Sequence, residues 1–177
     1  MVKSYCNLEN EDFEIRLSGS GGQGLISAGM TLAEAIGLAD GKNVVQTQSY
    51  GPEARGGATR CDVIVSDGEI YFPECNRYDL LLALTQQAYE SYSKNIKRNG
   101  LIIIDADAVD STGEKDVIAV PFINTATQKI GNVLTANIVA LGFIAEYTGI
   151  VKKKSLKWAV ENRFKGSKHF DVNLAAL

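Results

Sequence analysis

The sequence is poor in the side chains that metal sites and acid–base catalysis use. Its 177 residues include one histidine, three cysteines and three prolines. A single histidine, His169, excludes a site built from several histidines, and near a chain end it is more often solvent-facing than catalytic. The cysteines are widely spaced and odd in number, which is typical of a reducing compartment, and they are too dispersed to ligate an iron–sulfur cluster. We therefore expect no metal site in this chain.

Long apolar runs and a strong charge are missing as well. No segment approaches the roughly 18 apolar residues that a membrane-spanning helix needs, and the N-terminus lacks the apolar core of a signal peptide. The formal net charge is only −3, and the lysine run at residues 152–154 is too short to form a basic tract. We therefore expect a soluble, cytoplasmic protein that binds neither nucleic acid nor membranes.

Motifs for catalysis by this chain alone are also absent. No serine or cysteine stands in a G-x-S-x-G nucleophile elbow, and no phosphate-binding G-x-x-x-x-G-K-[ST] sequence occurs. Together with the shortage of histidine, this leaves no evident general acid or base. The sequence therefore predicts no catalytic residue, and we expect the isolated chain to do no redox chemistry by itself.

A Rossmann-like unit is predicted near the N-terminus. Residues 13–18 alternate apolar and polar side chains, as a strand does, and run into a glycine-rich loop at residues 19–24. Apolar residues at helical spacing follow over residues 25–36, and residues 43–48 are a second strand candidate. The predicted order is strand, glycine turn, helix and strand.

The middle of the chain carries the remaining strand candidates. Residues 59–66 place alternate apolar residues on one face, and Asp67-Gly68 favours a hairpin turn into a strand at residues 69–72. Three further short runs are mostly apolar: residues 79–84, 101–105 and 117–121. Such runs are typical of central strands in a parallel sheet, which are buried on both faces.

Three more helices are predicted. Residues 86–97 form a polar helical stretch, and Ser155 can cap a last amphipathic helix. Residues 136–147, with Thr135 as the N-cap, are apolar on nearly every side, so this helix should be buried in the fold or in a subunit contact. We therefore predict a single α/β domain over residues 1–177, with three layers: a mixed, mostly parallel sheet and helices on both of its faces.

The glycine loop is the first candidate site. It satisfies G-x-G-x-x-G between a strand and a helix, where small residues let backbone amides approach an anion and the helix presents its positive end. Its candidate anion-binding or CoA-side residues are Gly19, Gly21, Gly22, Gln23 and Gly24. The strand at residues 43–48 lacks the acidic residue that a dinucleotide ribose needs, since Asp40 precedes it, which disfavours NAD or FAD. Glycines that serve only tight packing stay an open alternative.

The second candidate site is the segment at residues 49–57, in which Gly-Pro and Gly-Gly predict a loop. Arg55 offers a planar fork of donors that suits phosphate or carboxylate, and Glu53 can orient it. An ordinary surface loop with a local Glu53–Arg55 pair explains the same residues equally well. The candidate contacts to a partner or ligand are Tyr50, Gly51, Pro52, Glu53, Arg55, Gly56 and Gly57.

Five segments together resemble the gamma subunit, or gamma domain, of the pyruvate and 2-oxoacid:ferredoxin oxidoreductases. The segments lie at residues 19–24, 50–57, 79–84, 100–105 and 137–142. Their order and spacing resemble the family over about residues 12–165. The resemblance implies a complex that uses thiamine diphosphate and magnesium, converts a 2-oxoacid into acyl-CoA and CO2, and passes electrons to ferredoxin.

The resemblance also implies how the work is divided among subunits. Alpha and beta partners hold the thiamine diphosphate, a beta or delta chain holds the iron–sulfur clusters, and this chain binds no cofactor alone. The two glycine-bearing loops are expected to face the partners and the entry of CoA. Residues 50–53 look most like those of 2-oxoglutarate enzymes, although pyruvate, branched-chain and indolepyruvate relatives share the scaffold. The alternative is a stand-alone nucleotide-binding or regulatory protein that uses residues 19–24.

Overall fold

The computed structural model describes residues 12–49, 58–111 and 117–177. Its strands are β1 (Phe13–Gly19), β2 (Asn43–Ser49), β3 (Thr59–Ser66), β4 (Tyr78–Ala83), β5 (Ile96–Asp105) and β6 (Val117–Val120). Its helices are α1 (Leu25–Glu34), α2 (Gln86–Tyr92), α3 (Phe122–Thr125), α4 (Ala136–Thr148), α5 (Lys153–Phe164) and α6 (Phe170–Ala175). Short π-helical turns extend α1 over Ala35–Ala39 and α3 over Ala126–Ile130.

Most of the described strands run in one direction, and β3 runs against them. The sheet order is β2-β3-β1-β4-β5-β6. β1, β4, β5 and β6 pair in parallel, whereas β3 pairs antiparallel with both β1 and β2. The mixed, mostly parallel sheet is therefore confirmed. The predicted order of strand, glycine turn, helix and strand is also present, but β3 lies between β1 and β2, which are neighbours in a regular βαβ unit.

Apolar side chains pack against both faces of the sheet. One cluster joins Ile15 and Leu17 of β1 and Val63 of β3 to α1, α4 and α5. A smaller cluster on the other face joins Leu81 of β4 and Ile104 of β5 to α2. Helices therefore lie on both faces, and β4 and β5 are buried on both faces, as their apolar runs predict.

Helix α4 is buried in the fold, as its composition predicts. Its buried positions include Ile138, Leu141 and Ile144, while Glu146 is exposed. Thr135 stands at the N-cap position, as predicted, but its hydroxyl donates to the carbonyl of residue 132 at 2.7 Å and does not cap the helix. Packing within the chain buries most of α4, while Val139, Phe143 and Tyr147 remain partly exposed.

The predicted hairpin after β3 is wrong. Residues 69–75 are irregular, although Asp67-Gly68 is a strong hairpin sequence. Both edges of β3 are already paired, one with β1 and the other with β2. A following strand therefore has no free edge on β3 to pair with, and the sheet overrides the local turn preference.

Two predicted helix boundaries are also wrong. The stretch predicted as helix over residues 86–97 ends at Asn95, because β5 begins at Ile96. Ser155 does not cap α5, which begins at Lys153, and its buried hydroxyl donates to Asp40 Oδ1 at 2.6 Å. The segment after α5, where no further helix was predicted, forms α6.

The end of β5 is held by a buried carboxylate. Asp105 is fully buried. Its Oδ1 accepts hydrogen bonds from the backbone N–H groups of Asp107 and Ala108, at 3.0 and 3.1 Å. Its Oδ2 accepts from the N–H of Ile123 at 2.8 Å. The side chain thus joins the loop after β5 to the start of α3.

Candidate functional site

Both candidate loops leave from the same edge of the sheet. Gly19 at the end of β1 pairs with Thr59 at the start of β3, and Ser49 at the end of β2 pairs with Arg60. The following candidate residues lie outside the described ones: Tyr50, Gly51, Pro52, Glu53, Arg55, Gly56 and Gly57. The strand ends that they connect nevertheless lie beside the glycine loop. The carboxyl ends of parallel strands form the edge at which α/β sheets commonly bind ligands.

The glycine loop is closed by one of its own side chains. Gln23 Oε1 accepts a hydrogen bond from the N–H of Ser20 at 2.8 Å, and the N–H of Gln23 donates to the Ser20 carbonyl at 3.3 Å. A Cβ atom at Gly19 would overlap Gln23 Oε1, so a larger residue there would displace Gln23 from its hydrogen bond to Ser20. Gln23, predicted as a ligand contact, therefore shapes the loop through its side-chain oxygen.

The first turn of α1 presents free backbone donors to this edge. Gly24 is the N-cap in the left-handed region, with φ of 70°, and no described side chain caps the helix. The first intrahelical hydrogen bond runs from the N–H of Ala28 to the Gly24 carbonyl at 2.9 Å. The N–H groups before Ala28 lack intrahelical partners, and the helix dipole makes this end positive. The backbone here suits an anion.

A cavity of about 210 Å³ lies beside the loop. Its described lining residues are Gly22, Gly24, Ser27, Asn132, Leu134, Thr135, Asn137, Phe164, His169 and Asn173. Asn137 ties the start of α4 to the loop, because its Nδ2 donates to the Gly24 carbonyl at 2.9 Å. Among the described lining residues there is no carboxylate, so the cavity has no fixed negative charge to repel an anion. His169, exposed as predicted, is the basic side chain in this lining.

A larger cavity, of about 510 Å³, lies between α4, α5 and α6. Leu156, Leu174 and Leu177 supply its apolar lining, with Lys153 and Glu146 also beside it. None of its described lining residues belongs to the glycine loop at residues 19–24. We favour the smaller cavity as the candidate site, because free backbone donors and the strand ends converge there.

A buried ion pair, which was not predicted from the sequence, joins β1 to β3, the strand that follows the second loop. Arg16 of β1 makes two hydrogen bonds of 2.7 Å to the carboxylate of Asp62 in β3. The guanidinium also donates to the Cys75 carbonyl at 2.8 Å and lies 4.6 and 5.0 Å from the ring centroids of Tyr78 and Tyr92. Burial alone would lower the pKa of Arg16, but the hydrogen bonds and charge of Asp62 outweigh it and raise that pKa.

The same cluster fixes the residues that follow the second loop. The hydroxyl of Tyr92 donates to the Ala58 carbonyl at 3.3 Å, and Ser18 Oγ donates to the Thr59 carbonyl at 2.9 Å. Arg16 stands between two apolar residues of a central strand. This position in the sequence indicates a buried ion pair, because a charge there needs a buried partner. The cluster positions one end of the loop.

Asp40 is engaged in the fold and is not free to hold a ribose. Its carboxylate accepts from the N–H of Lys152 at 3.0 Å and from the hydroxyl of Ser155 at 2.6 Å. Burial alone would raise the pKa of Asp40, but these hydrogen bonds outweigh it and lower the pKa. The carboxylate therefore stabilises the start of α5, which weakens the dinucleotide alternative.

The described cysteines are buried thiols. Burial raises the pKa of Cys61 to about 11 and also raises that of Cys75. In the described part of the chain, no three His, Cys, Asp or Glu side chains are grouped so that they could hold a metal ion. Nor do residues 12–49, 58–111 and 117–177 include a helix with the length and apolarity to cross a membrane.

Sequence comparison identifies relatives over most of the chain. The family described as Pyruvate ferredoxin/flavodoxin oxidoreductase matches residues 14–177. The 2-oxoglutarate synthase subunit KorC of Methanocaldococcus jannaschii is 48% identical over 151 residues, which cover 83% of this chain and 81% of that protein. This similarity confirms the resemblance found in the sequence.

Solved structures share the fold. The gamma subunit of keto/oxoacid ferredoxin oxidoreductase from Geobacter sulfurreducens matches with a TM-score of 0.83 and 43% identity, over 94% of this chain and 92% of that one. A 2-oxoglutarate:ferredoxin oxidoreductase from Magnetococcus marinus, with 2-oxoglutarate, coenzyme A and succinyl-CoA bound, matches with a TM-score of 0.81 and 27% identity, over 94% of this chain and 30% of that one. Sequence and fold agree, and the chain belongs to the pyruvate ferredoxin/flavodoxin oxidoreductase family.

Proposed function

We propose that this chain is the gamma subunit of a 2-oxoglutarate:ferredoxin oxidoreductase complex. The similarity to a 2-oxoglutarate synthase subunit and to a gamma subunit of known structure supports this role. The complex makes acyl-CoA, CO2 and reduced ferredoxin. Its alpha, beta and delta chains supply the thiamine diphosphate, magnesium and iron–sulfur clusters, and the gamma chain supplies binding surface.

Within that complex, the glycine loop receives the phosphate groups of coenzyme A. The observation that carries this assignment is the start of α1, where backbone N–H groups without intrahelical partners border a cavity whose described lining has no carboxylate. Helix N-termini bind phosphate through such donors and through the helix dipole. A solved relative binds coenzyme A, which supports this ligand over a dinucleotide.

Replacing Gly22 with alanine tests the assignment. Gly22 has a φ of 89°, and a Cβ atom there would meet no described atom within 4 Å, so the cost to folding is backbone strain of roughly 1–2 kcal/mol. Because Gly22 also lines the cavity, the new methyl group would occupy space that a ligand uses. We expect the KM for coenzyme A of the reconstituted complex to rise roughly tenfold, as for one lost charge-assisted hydrogen bond.

Gly41→Ala is the matched control. Gly41 has a φ of 76° and equally open surroundings, but it lies at the far end of α1 from the loop. Both variants should lower the melting temperature of the free chain by a similar few degrees, while the KM for coenzyme A changes only in Gly22→Ala. Equal KM values would contradict the assignment, and tight binding of NAD or FAD to the isolated chain would favour the stand-alone nucleotide-binding alternative.

Arg55 is expected to serve the assembled complex more than the fold of the free chain. A desolvated contact from Arg55 to a phosphate or a partner carboxylate is worth about 1.5 to 3 kcal/mol, so Arg55→Ala should weaken CoA use or subunit docking roughly tenfold to a hundredfold. A solvent-exposed pair with Glu53 would cost below about 1 kcal/mol. Acyl-CoA formation and assembly are measured beside the melting temperature of the free chain. A free chain that no longer folds would make Arg55 a structural residue instead.

A further inference from the structure

An irregular segment between β3 and β4 presents two neighbouring aromatic side chains to solvent. Tyr71 is 83% exposed and Phe72 is 70% exposed. β3 runs from the glycine-loop edge to Ser66, so this segment, residues 67–77, leaves from the opposite edge of the sheet. It is therefore separate from the candidate coenzyme A site.

The segment is held to the fold on both sides of the aromatic pair. Before the pair, Asn43 Nδ2 donates to the Gly68 carbonyl at 2.8 Å, and Ile70 packs against the smaller core cluster. After the pair, Cys75 is buried and its carbonyl accepts from the guanidinium of Arg16 at 2.8 Å. Anchors on both sides hold the aromatic pair on the surface, so docking it costs less conformational entropy than ordering a free loop.

The charged residues nearest the pair along the chain are acidic, and the exposed Arg77 lies at the far end of the segment. Glu69 and Glu74 flank it and are exposed, and in the part of the chain that the structure describes neither forms an ion pair. Asp67, at the start of the segment, pairs with Lys42 at 3.3 Å. An apolar anchor between two unpaired carboxylates is complementary to an apolar pocket with a basic rim.

We propose that Tyr71 and Phe72 dock this chain onto another subunit of the same oxidoreductase, into an apolar pocket whose rim carries Lys or Arg side chains. The inference rests on the proposed function as a complex subunit and adds the surface that makes the contact. Each buried aromatic side chain removes roughly 150–250 Å² from water, which makes the pair the main anchor. Glu69 and Glu74 steer the approach through their charge.

The double variant Tyr71→Ser/Phe72→Ser tests the proposal in the reconstituted complex. Both side chains are exposed, so the melting temperature of the free chain should stay within a few degrees of the wild type. Binding to the complex that lacks this subunit, measured by surface plasmon resonance, should weaken roughly tenfold or more. Leu38→Ser is the matched control, because Leu38 is 74% exposed on the turn after α1 and should leave binding unchanged.

The charge contribution is tested separately with Glu69→Gln/Glu74→Gln. This variant should associate more slowly at low salt and lose part of the salt dependence of the association rate. A wild-type chain that binds no other subunit would overturn the proposed function itself. A wild-type chain that binds, beside an aromatic double variant that binds equally well, would overturn only the docking inference. Loss of self-association without loss of subunit binding would also overturn it, since the occupant would then be a second copy of this chain.

Discussion

Replacing Asp62 with alanine is expected to lower the free energy of unfolding by about 3–5 kcal/mol, because it leaves the Arg16 charge buried without a partner. The side chains of Arg16 and Asp62 are only 3% and 7% exposed, so water cannot replace the lost carboxylate. The remaining neighbours, the Cys75 carbonyl and two tyrosine rings, do not neutralise a full charge. Urea denaturation of the free chain measures the change.

The matched control for this substitution is an exposed ion pair. Asp67→Ala removes the pair with Lys42, whose 3.3 Å contact lies at the surface, and should cost below about 1 kcal/mol. The combined change Arg16→Met/Asp62→Leu should recover much of the loss, since an apolar pair needs no desolvation of charge. Equal costs for Asp62→Ala and Asp67→Ala would show that the Arg16 charge reaches solvent.

The second large effect is expected at Asp105. Asp105→Ala removes the acceptor of three backbone hydrogen bonds, each worth about 1.5–3 kcal/mol when the acceptor is charged, so the loss should be at least about 3 kcal/mol. Asp105→Asn keeps one oxygen acceptor and should lose less. Hydrogen exchange of the Ile123 amide should quicken together with the fall in the urea midpoint.

The exposed neighbour Asp107 supplies the control for Asp105. Its side chain lies at the surface, so Asp107→Ala should change the free energy of unfolding by no more than about 0.5 kcal/mol while leaving its backbone N–H in place. If Asp105→Ala were as mild as Asp107→Ala, the three N–H groups would have found other acceptors, and the link between β5 and α3 would not depend on this carboxylate.

Local patterns were sufficient to predict most of the strands but not how they pair. The apolar runs of β4 and β5 and the alternation of β1 and β3 follow from burial, which each short segment shows by itself. The pairing of β3 between β1 and β2 joins residues up to 52 positions apart, as in Phe13 with Val65, and no local pattern encodes it. The predicted hairpin at Asp67-Gly68 failed for the same reason.

The glycine loop of the candidate site was predicted from what its backbone requires. The side-chain contacts around the loop were not predicted. Gly19 to Gly24 were identified because the chain needs small residues there, and the structure places them at the strand ends. The role of Gln23 in closing the loop depends on one hydrogen bond to Ser20, and Arg16 depends on Asp62, 46 residues away. Side-chain partners of this kind follow from tertiary packing, so a single sequence does not specify them.

The antiparallel strand β3 has a mechanical consequence for the assembled enzyme. It begins at the edge that carries the glycine loop and ends at the edge that carries Tyr71 and Phe72. With eight residues at about 3.3 Å each, it spans roughly 25 Å. Because both of its sides are paired, β3 can neither stretch nor slip without breaking two ladders. The strand therefore fixes the distance between the aromatic pair and the glycine loop. A subunit bound at the aromatic pair is held at that distance from a ligand bound at the loop.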